Sequence, residues 1–121
     1  MLQFRYGNAI AGRVAGIPFM PVKSLLGSDI PVHNTRIKFM NDPYGGEPVA
    51  LVPAANPEVA FIHVQRCDVM GNAHILGHLG NDDSLARAAR NVVITTEEIV
   101  PTDEIRRNPN LTVIPYYCVT R

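Results

Sequence analysis

Val59-Ala60-Phe61-Ile62-His63-Val64 is apolar at alternate positions on both sides, with His63 the one polar member. A strand with two apolar faces predicts a place in the middle of a parallel sheet covered on both sides. Downstream, Asn81 or Asp82 stands where it can cap a helix whose Leu85, Ala86, Ala88 and Ala89 form one apolar face. Val92 to Thr96 follows at once as a second, β-branched strand. Strand, helix, strand is a βαβ crossover, interrupted here by an excursion over Gly71 to Gly80 with room for a short strand at Ala73 to Leu76. The pattern predicts an α/β fold, an open, mostly parallel sheet with flanking helices.

Working outward, Leu2 to Ala15 carries Phe4, Ala9, Ile10 and Val14 at helical spacing, and Gly16 is its stop signal. Ile17 to Met20 reads as a short strand closed by Pro21, and Lys23 to Val32 as a loop centred on Gly27-Ser28-Asp29. Asn41-Asp42-Pro43-Tyr44-Gly45-Gly46 is the strongest turn signal in the chain, with strands expected at Ile37 to Met40 and Val49 to Val52. Toward the C-terminus, Thr102 to Arg107 predicts one or two helical turns ended before Pro109. Val113 to Thr120 predicts an edge strand broken by Pro115.

At 121 residues the length suggests one domain. Eleven basic residues balance eleven acidic ones, so the chain lacks the basic excess that phosphate-backbone binding needs, and no nucleic acid partner is expected. An apolar content of 46% is that of a globular protein, while the longest apolar runs fall well short of a membrane span. No membrane association or signal peptide is expected, and the location expected is cytoplasmic. Cys67 and Cys118 have no CxxC or Cys/His spacing and read as two buried, reduced thiols.

Ligands of open α/β sheets lie beyond the carboxyl ends of the strands. Three segments qualify: Lys23 to Asp29, Gln65 to Asn72, and Glu97-Glu98. Gln65, Arg66 and Asp68 are of the types that orient a carboxylate or an amide. Glu97 and Glu98 are adjacent on an extended segment and so face opposite ways, which prevents both from addressing one substrate atom. One of them is expected to pair with an arginine such as Arg87 or Arg106. His74 and His78 stand four apart, but Gly71, Gly77 and Gly80 argue against the helix that would bring both rings to one metal ion. No metal site is expected. His63 reads as a core histidine bonded to a neighbour. Neither GxGxxG, GxxxxGK nor GxSxG occurs.

The wording of the chain goes further. Gly16-Ile17-Pro18-Phe19-Met20-Pro21 and Leu26-Gly27-Ser28-Asp29 open a series continued by Asn41-Asp42-Pro43, Gly46-Glu47 and Val49-Ala50-Leu51-Val52-Pro53. Asn56 to Gln65, Asp68, Gly71-Asn72, Ala86 to Ala89, Thr95-Thr96-Glu97-Glu98-Ile99-Val100, Glu104 to Arg107 and Ile114-Pro115 complete it. In this order the blocks resemble α subunits of family I coenzyme A transferases, of the glutaconate CoA-transferase kind. The resemblance runs over nearly the whole chain.

That resemblance implies a CoA-transferase-like fold and an α subunit that moves CoA between an acyl-CoA and a carboxylic, in particular a dicarboxylic, acid. The family's glutamate nucleophile takes CoA as a thioester and belongs to a separate β subunit, in a Ser-Glu-Asn-Gly type of motif that does not occur here. No catalytic residue is therefore expected in this chain, and no activity from it alone. Gly27, Ser28, Asp29 and Gln65 are the expected contacts to substrate or CoA, with Asp68, Glu97 and Glu98 as crevice carboxylates. The CoA thioester enters as substrate, with no permanently bound cofactor. The expected partner is the β subunit, in an oligomer. Family α subunits begin with a further sheet and a glycine-rich turn, so residues 1–121 correspond to a single domain lacking that N-terminal part. Two other readings stay open: a non-catalytic assembly module, and a subunit of a CoA-ester ring hydrolase of the same architecture.

Overall fold

The computed structural model describes residues 2–120, with side chains from Gly7 onward. Phe4, counted in the apolar face of the first helix, lies outside the described side chains. Where length suggests one domain, the chain divides into two compact units, residues 1–56 and 57–121.

The first unit opens with helix α1 (Leu2–Val14). Gly16, at φ +73°, ends it, with Gly16 N–H bonded to the Arg13 carbonyl and Ile17 N–H to that of Gly12. This double closure needs a left-handed residue, which is why a glycine stands there. Strands β1 (Phe19–Val22), β2 (Lys38–Asn41) and β3 (Pro48–Pro53) form an antiparallel sheet in the order β1-β3-β2, and the short helix α2 (Ile30–His33) lies between β1 and β2. The expected first strand is displaced by two residues, because Pro21 does not close it. β1 is an edge strand, where a residue without an N–H is tolerated. Asn41 to Gly46 turns as expected: Gly46 N–H bonds the Asp42 carbonyl, and Tyr44 N–H bonds Asp42 Oδ1. Val22, Leu25, Ile37, Ala50 and Val52 form the core with Ala9 of α1.

The second unit holds β4 (Val59–Cys67), β5 (Ala73–His74), α3 (Asp82–Ala88), β6 (Asn91–Ile99), α4 (Thr102–Arg107) and β7 (Thr112–Ile114). Single 3-10 turns follow at Pro109–Leu111 and Tyr116–Cys118. The sheet order is β6-β4-β5-β7. β4 and β6 run parallel, from Val59 opposite Asn91 to Cys67 opposite Ile99, with α3 as their crossover. The other pairings are antiparallel, so the sheet is mixed and the expectation of a mostly parallel one is corrected. The physical reason is the Gly71–Gly80 excursion, which returns as β5 beside β4 and so turns the sheet antiparallel on that side.

A second correction concerns β4 itself, expected to be covered on both faces. Ala60, Ile62 and Val64 are buried with Ala86 and Val92, but Val59, Phe61 and His63 are exposed, Phe61 by 74%. α3 covers one face of the β4–β6 pair, and among the described residues nothing covers the other.

Candidate functional site

The carboxyl ends of β4 and β6 lie side by side, and the residues after them form a hydrogen-bonded polar cluster. Asp68 follows β4 and is only 2% exposed. Its Oδ1 accepts from Met70 N–H at 3.0 Å and Asn72 N–H at 2.9 Å, and its Oδ2 from Asn72 Nδ2 at 2.9 Å. The Thr102 hydroxyl, on the first residue of α4, also donates to it. Burial pushes this carboxyl up, but the bonds from Asn72, Thr102 and Met70 together outweigh burial and hold it below its ordinary range. Asp68 thus lies beneath the crevice and fixes its wall. Asn72 passes the constraint on, because its Oδ1 accepts from Tyr116 N–H at 3.0 Å.

Gln65 is half-buried, and its Oε1 accepts from Leu76 N–H at 2.8 Å, which ties down the loop after β5. Arg66 sits between two carboxylates, with Nε 3.1 Å from Glu98 Oε2 and Nη1 3.1 Å from Glu104 Oε1. Glu97 points to the opposite face, 3.6 Å from His63 Nε2, while His63 Nδ1 lies 3.0 Å from the Thr95 hydroxyl. The adjacent glutamates therefore do diverge, but the arginine is Arg66. Arg87 pairs with Asp83 and Arg106 with Asp103 instead. The register Arg66 opposite Glu98 decides this, and a register is invisible before the strands pair. His63 is bonded to a neighbour, Thr95, as expected, but sits on the bare face rather than in the core.

The Gly27-Ser28-Asp29 loop belongs to the first unit. Gly27 has φ +75°, a left-handed conformation, and Ser28 Oγ donates to the Leu25 carbonyl at 2.9 Å. The Asp29 carbonyl accepts from Val32 and His33 N–H at the start of α2. Asp29, Ile30, His33 and Asn34 line an open cavity of about 410 Å³. The loop is therefore shaped by its own hydrogen bonds and borders a concavity. Phe19, Pro21, Met40 and Val49 form the apolar floor of another, about 530 Å³, with Lys23, which pairs with Glu47, at its edge.

Both cysteines are free and half-buried, rather than fully buried, and pack against the core of the second unit. Burial pushes the Cys118 thiol up. His74 is 4% exposed, and its Nε2 has no hydrogen-bond partner among the described residues, whereas His78 is exposed. No group of three or more His, Cys, Asp or Glu is placed to hold a metal ion among the described residues. Among them, too, no helix is long and apolar enough to cross a membrane.

Residues 9–121 match the family model described as Coenzyme A transferase. The chain belongs to the coenzyme A transferase family. It is 37% identical to the A subunit of 3-oxoadipate CoA-transferase from Pseudomonas knackmussii, over 93% of this chain and 39% of that protein. It is 33% identical to the A subunit of glutaconate CoA-transferase from Acidaminococcus fermentans, over 86% of this chain and 38% of that protein. The crystal structure of glutaconate coenzyme A-transferase from the same organism superimposes with a TM-score of 0.82 at 31% identity, covering 98% of this chain and 41% of that one. The chain thus spans about two fifths of the length of these relatives. At the ends of the parallel strands the structure brings together the expected Gln65, Arg66, Asp68 and Glu98, and adds Asn72 to them. Of the residues missed in the sequence, Asn72 carried a readable signal: Asp68 followed by a glycine and an asparagine is a side-chain-supported turn. Thr102 and Glu104 carried none, and for Arg66, which was expected in the crevice, only its pairing with Glu98 and Glu104 was invisible.

Proposed function

We propose that this chain is the α-subunit portion of a CoA-transferase that moves CoA between an acyl-CoA and a dicarboxylic acid, with the glutamate nucleophile on a separate β subunit. In this scheme a β-chain glutamate takes CoA from the donor as a thioester, and the donor acid leaves as its carboxylate. The acceptor carboxylate then takes CoA and frees the glutamate. What this chain supplies is surface and shape: backbone N–H groups and the Ser28 hydroxyl at the loop after β1, and Gln65 at the end of β4.

The observation that carries the reading is the family match over residues 9–121, together with the state of the two glutamates that invite a catalytic role. The Glu97 and Glu98 side chains are 63% and 57% exposed and ion-paired, to His63 and Arg66. A carboxylate nucleophile gains its reactivity in a dry, preorganised site, and neither of these is in one. Co-expression of the chain with a candidate β subunit, followed by a screen of carboxylic acids as CoA acceptors, tests the proposal. Transfer to a dicarboxylic acid is the expected result. CoA-ester hydrolysis without an acceptor acid would favour the ring hydrolase reading, and no turnover would favour an assembly module.

A further inference from the structure

Beyond Asp68, on the solvent side, the segments that follow β4 and β6 border an open concavity of about 510 Å³. That is the size range of small-molecule sites, and it lies where open α/β sheets bind ligands, outside the carboxyl ends of parallel strands. Met70, Ile105 and Pro109 give it apolar walls, and Asn72, Thr112 and Arg106 add polar groups. The Asn72 side of the wall is rigid, because that residue is held by Asp68 and by Tyr116 N–H at once. Arg106 is the cation of the site. Its one ion pair among the described residues is with Asp103, at 3.9 Å and with both side chains more than three-quarters exposed. Such a contact is worth little in water, so the guanidinium keeps its capacity to take a second anion. The Thr112 hydroxyl has no hydrogen-bond partner among the described residues and is a further donor.

We infer that this concavity is a binding site for an anionic group on an aliphatic stem, with Arg106 and Thr112 holding the anion and Met70, Ile105 and Pro109 receiving the stem. A guanidinium takes a carboxylate or a phosphate through two parallel N–H bonds, so either head group satisfies it. Two parts of a CoA-transferase reaction have that chemistry. One is the distal carboxylate of a dicarboxylic acid, and the other is the phosphate at the end of a pantetheine arm.

Isotope-labelled 121-residue chain is titrated with glutarate and, separately, with 4′-phosphopantetheine, while the Arg106 side chain and the Met70 methyl are followed by NMR. Pantetheine, which lacks the phosphate, and glutarate dimethyl ester are the uncharged controls. One of the two anions is expected to shift both signals saturably, and the responsive probe identifies the source of the anion. Arg106→Gln is expected to weaken that binding about 10-fold or more, because a charged, two-bond contact is lost. Thr112→Val is expected to weaken it less, and Arg107→Gln, one position along the helix, to leave it unchanged. No saturable shift with either anion overturns the inference, as does equal affinity in wild type and a folded Arg106→Gln. The choice of probes rests on the transferase reading, whereas binding is read without turnover. Binding without CoA transfer in the assembled enzyme would count against that reading and leave the site standing, and transfer without binding would do the reverse.

Discussion

Asp68 and Asn72 close on each other through three hydrogen bonds: Asp68 N–H to the Asn72 carbonyl at 3.0 Å, Asn72 N–H to Asp68 Oδ1 at 2.9 Å, and Asn72 Nδ2 to Asp68 Oδ2 at 2.9 Å. The pair forms a small rigid ring at the end of β4, and Thr102 and Tyr116 are attached to it from α4 and from the C-terminal turn. A buried carboxylate is tolerated there because all the donors around it point inward.

Asp68→Ala should therefore cost more than a surface change. It leaves the Met70 and Asn72 N–H groups and the Asn72 amide facing a void, and unsatisfied buried donors cost about 1–3 kcal/mol each before relaxation. A loss of roughly 2–4 kcal/mol in urea unfolding is expected, a range typical of a broken buried network. A loss under about 0.5 kcal/mol, the size of an ordinary surface change, would show that the ring is not structural.

The same carboxylate gives an acid limb of known sign. Its folded pKa is held below its ordinary value, so the unfolded chain binds the proton more readily. Its contribution is complete above the unfolded value of about 3.9 and disappears as the pH falls through the lower, folded value. Urea midpoints measured from pH 6 down to pH 2 should fall more steeply in wild type than in Asp68→Ala. Parallel curves would remove Asp68 from the account of acid stability.

With the nucleophile on a β subunit, Glu97→Gln and Glu98→Gln should still form a glutamyl-CoA thioester in the assembled enzyme. Borohydride reduction after treatment with acyl-CoA, followed by peptide mass analysis, should find the reduced glutamate on the β chain. A reduced residue at position 97 or 98 of this chain would falsify the assignment.

Ser28→Ala separates a binding loop from a turn. The hydroxyl bonds the Leu25 carbonyl, so stability should fall by only about 0.5–1.5 kcal/mol. If the Ser28 hydroxyl turns its one proton from the Leu25 carbonyl to a substrate oxygen as charge develops there, loss of that donor should lower kcat roughly 10²–10³-fold. Unchanged kinetics with the small stability loss would make the loop a turn and nothing more.

The chain by itself should associate with itself. Phe61 is 74% exposed and Ile99 66%, with Val59 and Val93 beside Phe61 on the same face of the β4–β6 pair. β6, nine residues long and without proline, has no strand on its outer edge among the described residues, where the Val92 backbone is bonded to Thr120. Long unprotected edges and contiguous apolar faces favour association. Light scattering at micromolar concentration should report more than one copy per particle, and Phe61→Lys should lower that number. A monodisperse monomer in wild type would contradict the expectation.

Much of this protein is determined by local sequence. Gly16 stops α1 because a left-handed residue is needed there, and Asn41 to Gly46 turns between two strands on the strength of its own side chains. Thr102 to Arg107 is helical over the expected span, because Pro101 precedes it and Pro109 bars the residue before it from a helical conformation. The family was likewise legible in the ordered blocks from Gly16 to Pro115. Tertiary structure decided the features that depend on pairing and burial. Both faces of Val59 to Val64 are apolar, but α3 is seven residues long and covers one of them, so Phe61 is bare although its own sequence neighbours predict burial. Strand register, which no single segment carries, placed Arg66 rather than Arg87 or Arg106 against Glu98. The fate of Asp68 was also a tertiary matter. A carboxylate at a strand end is a crevice group if water reaches it and a structural one if donors converge on it. Thr102, 34 positions away in the chain, is one of the donors that closed the choice.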